Sequence, residues 1–119
     1  MLSLPPSVRI FVARGAVDLR KSFDTLAAVV REVLRQDPLS GHLFVFMNRR
    51  RDRIKVLYWD RCGFCLFYKR LEQGRFAEVG ASEIGVRELL CVLEGIEIST
   101  TRSRRWYVGP KNDADTVKR

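Results

Sequence analysis

The residues with the clearest chemical potential are the arginines and lysines of the stretch "NRRRDRIKVLYWDRCGFCLFYKRLEQGRF", residues 48–76. A guanidinium group binds a phosphate or a carboxylate through two parallel hydrogen bonds, and a lysine ammonium binds the same anions as a point charge. Few acidic residues offset these cations, so the pattern favours a phosphate-binding surface. The candidate nucleic-acid-binding residues are Arg49, Arg50, Arg51, Arg53, Lys55, Lys69, Arg70 and Arg75.

The net charge of +8 is unevenly distributed along the chain. Residues 49–75 carry +6 and residues 99–119 carry +4, whereas residues 1–48 carry +2 and residues 76–98 carry −4. A clustered basic segment of this kind predicts a polyanionic partner, of which nucleic acid is the commonest. A second interpretation stays open, in which the arginines only keep an exposed turn soluble.

Five aromatic residues lie among these cations, and they allow two interpretations. Aromatic residues favour strands, where they pack on the face of a sheet. Exposed beside arginine and lysine, they would instead form a platform on which unpaired bases stack. The five residues are Tyr58, Trp59, Phe64, Phe67 and Tyr68.

Other chemistry has little support in the sequence. Cys62 and Cys65 have the spacing of a zinc-binding or redox pair, but no second pair completes a four-ligand zinc site. A redox pair is expected where a strand meets a helix, whereas these cysteines lie in a predicted hairpin. His42 is the single histidine, and no nucleophile or carboxylate is recognisably paired with it. We therefore predict no metal, no cofactor and no enzymatic activity.

The elements that must position these residues begin with the strands. Runs rich in β-branched and aromatic residues predict strands at residues 8–13, 42–48, 53–60 and 64–71, and a short edge strand near 72–80. The last three main strands are joined by connections short enough for hairpins, so they form an antiparallel meander. Neither face of these strands is cleanly polar. We therefore expect the helices to cover one face and a partner to cover the other.

Two segments have apolar residues at helical spacing. The first begins after Asp18, its predicted N-cap, and the second spans residues 82–95, with Ser82 as its cap and Gly95 as its stop. The buried stripe of the first helix comprises Phe23, Leu26 and Val30. The order of elements predicts an α+β fold, with an antiparallel sheet of four to five strands and two main helices.

The length of 119 residues suits one domain. We expect a single α+β domain at residues 1–98 and a basic C-terminal extension at 99–119, with a disordered end. An odd number of cysteines is typical of a reducing cytoplasm. We expect neither a signal peptide nor a membrane helix, since no apolar run approaches the roughly 18 residues that a membrane helix needs.

Three stretches carry a family resemblance: "VDLRKSFDTLAAVV", "DPLSGHLFVFMNRRRDRIKVLYWD" and "GFCLFYKRLEQGRF". They are long and occur in order, and through them the chain resembles TnpB, the small accessory protein family of bacterial insertion sequences of family 66. The resemblance implies a companion of a separate, larger transposase, and it assigns no residue a catalytic role. Cys62 and Cys65 depart from the family pattern, which further weakens a metal or redox function.

These observations predict a non-catalytic accessory protein for transposition. In the favoured interpretation a basic β-hairpin binds DNA at the ends of the element, and an apolar face contacts the transposase or a second copy of the chain. In the alternative, the protein binds no DNA and is an adaptor, whose basic face docks on an acidic patch of the transposase.

Overall fold

The structure is a computed structural model that describes residues 6–95. The basic extension predicted at residues 99–119, and the boundary of the domain before it, lie outside the described residues. The elements, in chain order, are β1 (Ile10–Val12), α1 (Phe23–Glu32), β2 (Leu43–Met47), β3 (Arg53–Asp60), β4 (Gly63–Arg70), β5 (Glu83–Ile84) and α2 (Val86–Leu93).

The five strands form one sheet in the order β4-β3-β2-β1-β5. The predicted α+β fold and the meander of β2, β3 and β4 are confirmed, and the sheet is mostly antiparallel. The exception is the pairing of β1 with β2, which is parallel, with Ile10 opposite Leu43. Parallel neighbours need a long crossover between them, and α1 supplies it. This pairing brings the loop after β1 to the same end of the sheet as the end of β2.

Both faces of the sheet are covered by the chain itself, since α1 packs on one face and α2 on the other. The α1 face buries Phe11, Phe44, Phe46 and Leu57 against Leu26, Ala27 and Val30. The α2 face buries Ile10, Val12, Val45, Ile54 and Val56 against Leu89, Val92, Leu93 and Phe76. The expectation that a partner covers one face is therefore wrong. Two covered faces explain why the strands show no clean alternation of polar and apolar residues.

The first helix begins four residues later than predicted. Its N-cap is Ser22, whose N–H donates to the Oγ1 of Thr25 at 3.1 Å. Asp18 instead accepts hydrogen bonds from the backbone and side chain of Arg20. Phe23 consequently starts the helix and is 42% exposed, so its place in the predicted buried stripe was wrong. Leu26, which is fully buried as predicted, contributes about 1.5–3 kcal/mol through burial.

The predicted edge strand near 72–80 is not present, and the chain there forms a loop that buries Phe76. The fifth strand follows this loop at Glu83–Ile84. Ser82 does not cap the second helix, since the helix starts four residues later, at Val86. The carbonyl of Ser82 instead accepts a hydrogen bond from the N–H of Val12 at 2.9 Å. Gly85 is the N-cap of α2. Gly95, with a φ of +82°, lies just beyond the helix end as predicted.

Candidate nucleic-acid interface

The first four candidate residues lie on the hairpin between β2 and β3. Arg49, Arg50 and Arg51 occupy its turn, and Arg53 is the first residue of β3. These four residues are called the arginine tip below. Their place at the end of a hairpin puts four guanidinium groups at one end of the sheet.

A network of hydrogen bonds around Asn48 fixes the backbone of this turn. The side-chain oxygen of Asn48 accepts from the N–H groups of Asp52 (3.2 Å) and Arg53 (3.1 Å), and its amide nitrogen donates to Asp52 Oδ1 at 2.7 Å. This last bond is the main reason that the pKa of Asp52 is lowered, and the charges of Arg50 and Arg53 act in the same direction. The turn is therefore organised by its own side chains.

The loop after β4 supports the arginine tip. Arg51 has a backbone φ of +57°, in the left-handed region, and its carbonyl accepts from the N–H of Phe76 at 2.6 Å. The carbonyl of Asp52 accepts from the N–H of Leu71 at 2.7 Å. Because Phe76 is buried in the core of the α2 face, it anchors the loop to the domain. The backbone of the tip is thus tied both to the sheet and to the core.

Most of the positive charge of the tip is not neutralised within the described residues. Arg49, Arg50 and Arg53 are exposed, and they form no ion pair with any carboxylate of residues 6–95. Arg51 is half-buried, and its Nη1 lies 3.4 Å from the carboxylate of Glu78, which is 83% exposed. A surface contact of this length contributes little free energy. The tip can therefore offer several guanidinium groups to an external anion.

Two further arginines that are not among the predicted site residues lie beside the tip. Arg14 and Arg20 belong to the connection between β1 and α1, more than 25 residues before the hairpin. The N–H of Ala13 donates to the carbonyl of Val45 and the N–H of Val17 to that of Met47, each at 2.9 Å. These bonds extend the parallel pairing and carry the connection along the end of β2. The sequence predicts an antiparallel sheet, and only the parallel pairing of β1 with β2 brings these two arginines to the tip.

The connection and the tip enclose two grooves. The first, of about 400 Å³, has Arg14, Arg49, Arg51 and Glu78 among its lining residues. The second, of about 700 Å³, is called the tyrosine groove below. It is lined by four apolar or aromatic side chains (Ala16, Val17, Leu19 and Tyr68), four arginines (Arg20, Arg49, Arg50 and Arg53) and three further residues, Asp18, Asn48 and Asp52. Arg49 borders both grooves, so an anion on either side of the tip would contact the same residue.

The structure places Arg70 and Arg75 near the tip. Arg70 lies directly opposite Arg53 across the β3–β4 pair, a position where like charges repel. Its side chain is engaged by Glu72 at 3.0 Å, which relieves that repulsion. Arg75 is exposed and precedes Phe76, the residue that donates to the backbone of Arg51. Arg75 is therefore a further exposed cation near the tip, whereas the charge of Arg70 is offset by Glu72.

The two candidate lysines do not belong to this surface. Lys55 is 7% exposed, and its Nζ donates to the carbonyl of Lys21 at 2.9 Å, just before α1. Lys69 is half-buried on the α2 face, where its Nζ donates to the carbonyl of Leu93 at 2.6 Å, at the end of α2. The pleat of the strands points these side chains into the two covered faces. The prediction that Lys55 and Lys69 contact phosphate groups is therefore wrong, because each ammonium donates to a backbone carbonyl inside the fold.

Four of the five candidate aromatic residues are half-buried, and the fifth is exposed. Trp59 packs edge-on against Phe64, with ring centroids 5.1 Å apart. Burial raises the pKa of Tyr58, which lies opposite Cys65 on the α2 face. Tyr68 is the exposed one, at 48%, and its ring borders the tyrosine groove. Packing on the sheet therefore explains most of the aromatic pattern, and Tyr68 is the member left accessible.

The cysteines and the histidine have structural surroundings. Cys62 lies in the turn between β3 and β4, and Cys65 is half-buried in β4. The Nδ1 of His42 accepts a hydrogen bond from the N–H of Arg9 at 3.0 Å, and its ring packs edge-on against Phe11. Within residues 6–95, no three side chains of His, Cys, Asp or Glu are grouped so that they could hold a metal ion. No helix of this part of the chain is long and apolar enough to cross a membrane.

Comparison with known proteins places the chain in a family. Residues 8–103 match the family model TnpB_IS66, described as "IS66 Orf2 like protein". The chain is 45% identical over 101 residues to the uncharacterized protein y4hO of Sinorhizobium fredii (strain NBRC 101917 / NGR234), an alignment that covers 82% of the chain and 88% of that protein. It is 35% identical over 101 residues to the uncharacterized protein y4jC of the same strain, covering 82% and 86%. No solved structure matches the chain.

The family match spans most of the chain and includes all the residues that border the arginine tip. It confirms the resemblance carried by the three sequence stretches. The chain belongs to the TnpB_IS66 family of IS66 Orf2-like proteins, and is thus a protein associated with bacterial insertion sequences.

Proposed function

We propose that the protein is a non-catalytic accessory factor for transposition, and that it binds DNA of its insertion sequence through the arginine tip. One observation carries this proposal. Arg49, Arg50 and Arg53 are exposed, close together and without ion-pair partners among residues 6–95. The family supports the setting, since an insertion sequence is a DNA element that must be recognised at its ends.

The chemistry of the tip suits a phosphate backbone. Guanidinium groups bind phosphate oxygens bidentately, and phosphate contacts fix the register and orientation of a protein on DNA. The backbone under these arginines is held by Asn48 and by the buried Phe76. Ordering of the turn is therefore largely complete before DNA binds, which lowers the entropic cost of binding.

The carboxylates near the tip are engaged structurally, and we assign them no catalytic role. Asp18 accepts hydrogen bonds from Arg20, and these bonds hold its pKa well below its usual range. Asp52 is held by the side chain of Asn48. Each carboxylate stabilises its own turn, so neither is poised to take up or release a proton near neutral pH.

A second candidate function is that of an adaptor for the transposase. It is favoured by β4, which is an edge strand with apolar side chains at its centre. The N–H of Leu71 donates to Asp52, so in the alternating ladder Phe64, Leu66 and Tyr68 direct their backbone groups outward. An edge of this kind can accept a strand from another protein. In this case the tip would dock on an acidic surface of the transposase.

Binding across a salt series separates the two candidates. The purified protein is titrated into labelled element-end duplex and scrambled duplex, and fluorescence anisotropy is followed at several salt concentrations. Replacing Arg49 and Arg50 by alanine should flatten the log–log salt slope by roughly 2, at about 0.9 per phosphate lost, and should weaken binding to both duplexes.

The control replaces Arg31 and Arg87 by alanine, which removes the same net charge. Both residues are exposed, one on α1 and one on α2, and neither lines the grooves at the tip. This variant should keep the slope of the wild type. Equal slopes in all three proteins, together with loss of transposase capture only in the tip variant, would reject DNA binding and favour the adaptor.

A further inference from the structure

The tyrosine groove differs in character from the rest of the basic surface. Its volume of about 700 Å³ lies within the range of ligand pockets, about 300–1,000 Å³. Apolar contact is available from Val17 and Tyr68, and guanidinium groups are supplied by Arg49 and Arg50 at the rim. A surface that contacted only phosphates would need the arginines but not the apolar wall.

Tyr68 is held in place by cations of the same sheet. Its hydroxyl accepts a hydrogen bond from Arg53 Nη1 at 3.2 Å. The ammonium of Lys55 lies 4.7 Å from the centroid of its ring, a cation–π distance. Lys55 is itself fixed by its bond to the carbonyl of Lys21. Lys55, over one face of the ring, and Arg53, at the hydroxyl, therefore fix the orientation of Tyr68, while 48% of the residue stays exposed.

The negative charges in this groove are compensated. Asp18 is paired with Arg20 at 2.8 Å, and Asp52 accepts from the amide of Asn48 at 2.7 Å. Of the four arginines that line the groove, Arg49, Arg50 and Arg53 have no ion pair among the described residues. A ligand that carries a phosphate beside a flat aromatic group matches this combination of free guanidinium groups and one fixed ring.

We propose that the tyrosine groove binds an unpaired nucleotide of single-stranded DNA, with the base stacked on Tyr68 and the adjoining phosphate on Arg49 and Arg50. This inference rests on the proposed DNA binding and adds a strand preference to it. Bases in a duplex have their faces covered by their neighbours, whereas an unpaired base can stack on an aromatic side chain. The groove therefore distinguishes single-stranded DNA from duplex, while the arginine tip binds both.

The test compares a fluorescent oligothymidylate with a duplex, using the full chain and three variants. Tyr68→Leu removes the ring, Tyr68→Phe keeps the ring and removes the hydroxyl, and Phe23→Leu removes an exposed aromatic residue on α1 outside the groove. Tyr68→Leu should weaken oligothymidylate binding by about 5- to 140-fold, the loss expected for one base stack, with duplex binding and its salt slope unchanged. The other two variants should bind both probes within about twofold of the wild type, because neither loses a stack.

Photocrosslinking gives a readout that does not depend on the folding of Tyr68→Leu. An oligonucleotide with 5-bromodeoxyuridine, crosslinked to the wild-type protein and digested, should give an adduct on Tyr68. Adducts only elsewhere, or parallel losses for both probes in Tyr68→Leu with a native thermal melt, would overturn the inference and leave the proposed DNA binding in place. Failure of the wild type to bind either probe would instead reject both.

Discussion

The arginine tip and the two interior lysines come from the same basic stretch, but the fold uses them differently. Arg49 and Arg50 are exposed on a turn and have no ion-pair partner among residues 6–95. Lys55 and Lys69 lie on strands, where each donates to a backbone carbonyl near a helix end. Positive charge in a sequence therefore does not identify a binding surface by itself. The position of each cation on a turn or within a covered strand decides its role.

The largest expected effect on stability is at Lys55. Replacing it by methionine keeps most of the side-chain volume but leaves the carbonyl of Lys21 without its donor. A hydrogen bond to a charged group contributes about 1.5–3 kcal/mol, so the free energy of unfolding should fall by about that amount in urea titrations. An unchanged free energy of unfolding would mean that the buried ammonium of Lys55 does not stabilise the fold. The distinction between structural lysines and exposed tip arginines would then fail at Lys55.

Lys69 should show the same effect on a smaller scale. Its ammonium is half-buried and donates to the carbonyl of Leu93, at the C-terminal end of α2, where a cation is favourable. Because water reaches this half-buried ammonium, Lys69→Met should lower the free energy of unfolding by less than Lys55→Met does, by about 0.5–1.5 kcal/mol. Hydrogen exchange should locate the loss in the last turn of α2. Loss of protection spread evenly over the sheet would argue against this contact.

Substitutions in the arginine tip should hardly change the free energy of unfolding in the same urea titrations. Arg49→Ala and Arg50→Ala alter exposed side chains without ion pairs among the described residues. Their free energies of unfolding should stay within about 0.5 kcal/mol of the wild type, as is usual for surface sites. A loss comparable to that of Lys55→Met would show that these arginines stabilise the hairpin and are not free for a ligand.

The remaining expected effect is a dependence of stability on pH at Asp52. The amide of Asn48 lowers the pKa of Asp52 in the folded chain, so ionised Asp52 adds stability above its unfolded pKa of about 3.9. That stability is lost as the pH falls through the lower, folded pKa. Asp52→Asn should therefore be less stable than the wild type near neutral pH, with the difference shrinking in more acidic solution. Thermal melts of the wild type and Asp52→Asn between neutral and acidic pH check this prediction. A difference in stability between the two proteins that grows as the pH falls would contradict it.

Much of the fold could be predicted from local pattern. The bounds of β3, Arg53–Asp60, are those predicted, because a run of β-branched and aromatic residues between two hairpin turns is a local signal. The start of α1 was misplaced because both Asp18 and Ser22 can cap a helix, and only the contact with Arg20 shows that Asp18 closes a different turn. Cap preference alone did not separate the two residues.

The candidate site was only partly predictable, because its members meet through long-range pairing. The turn arginines could be identified, since charges at a hairpin end must be solvated. Arg14 and Arg20 join them through the parallel pairing of β1 with β2, which no spacing in the sequence reveals. Lys55 was misassigned because lysine is almost always exposed, and the carbonyl that receives its hydrogen bond lies 34 residues away.

The most direct test of the central claim compares two variants that each remove one positive charge. Arg50→Ala and Lys69→Met are titrated with the same duplex across a salt series, after circular dichroism has confirmed that both are folded. We predict that Arg50→Ala flattens the log–log salt slope by about 0.9, the contribution of one phosphate contact, while Lys69→Met leaves the slope at its wild-type value. Equal slopes for the two variants, whether both flattened or both unchanged, would contradict the assignment of DNA binding to the arginine tip.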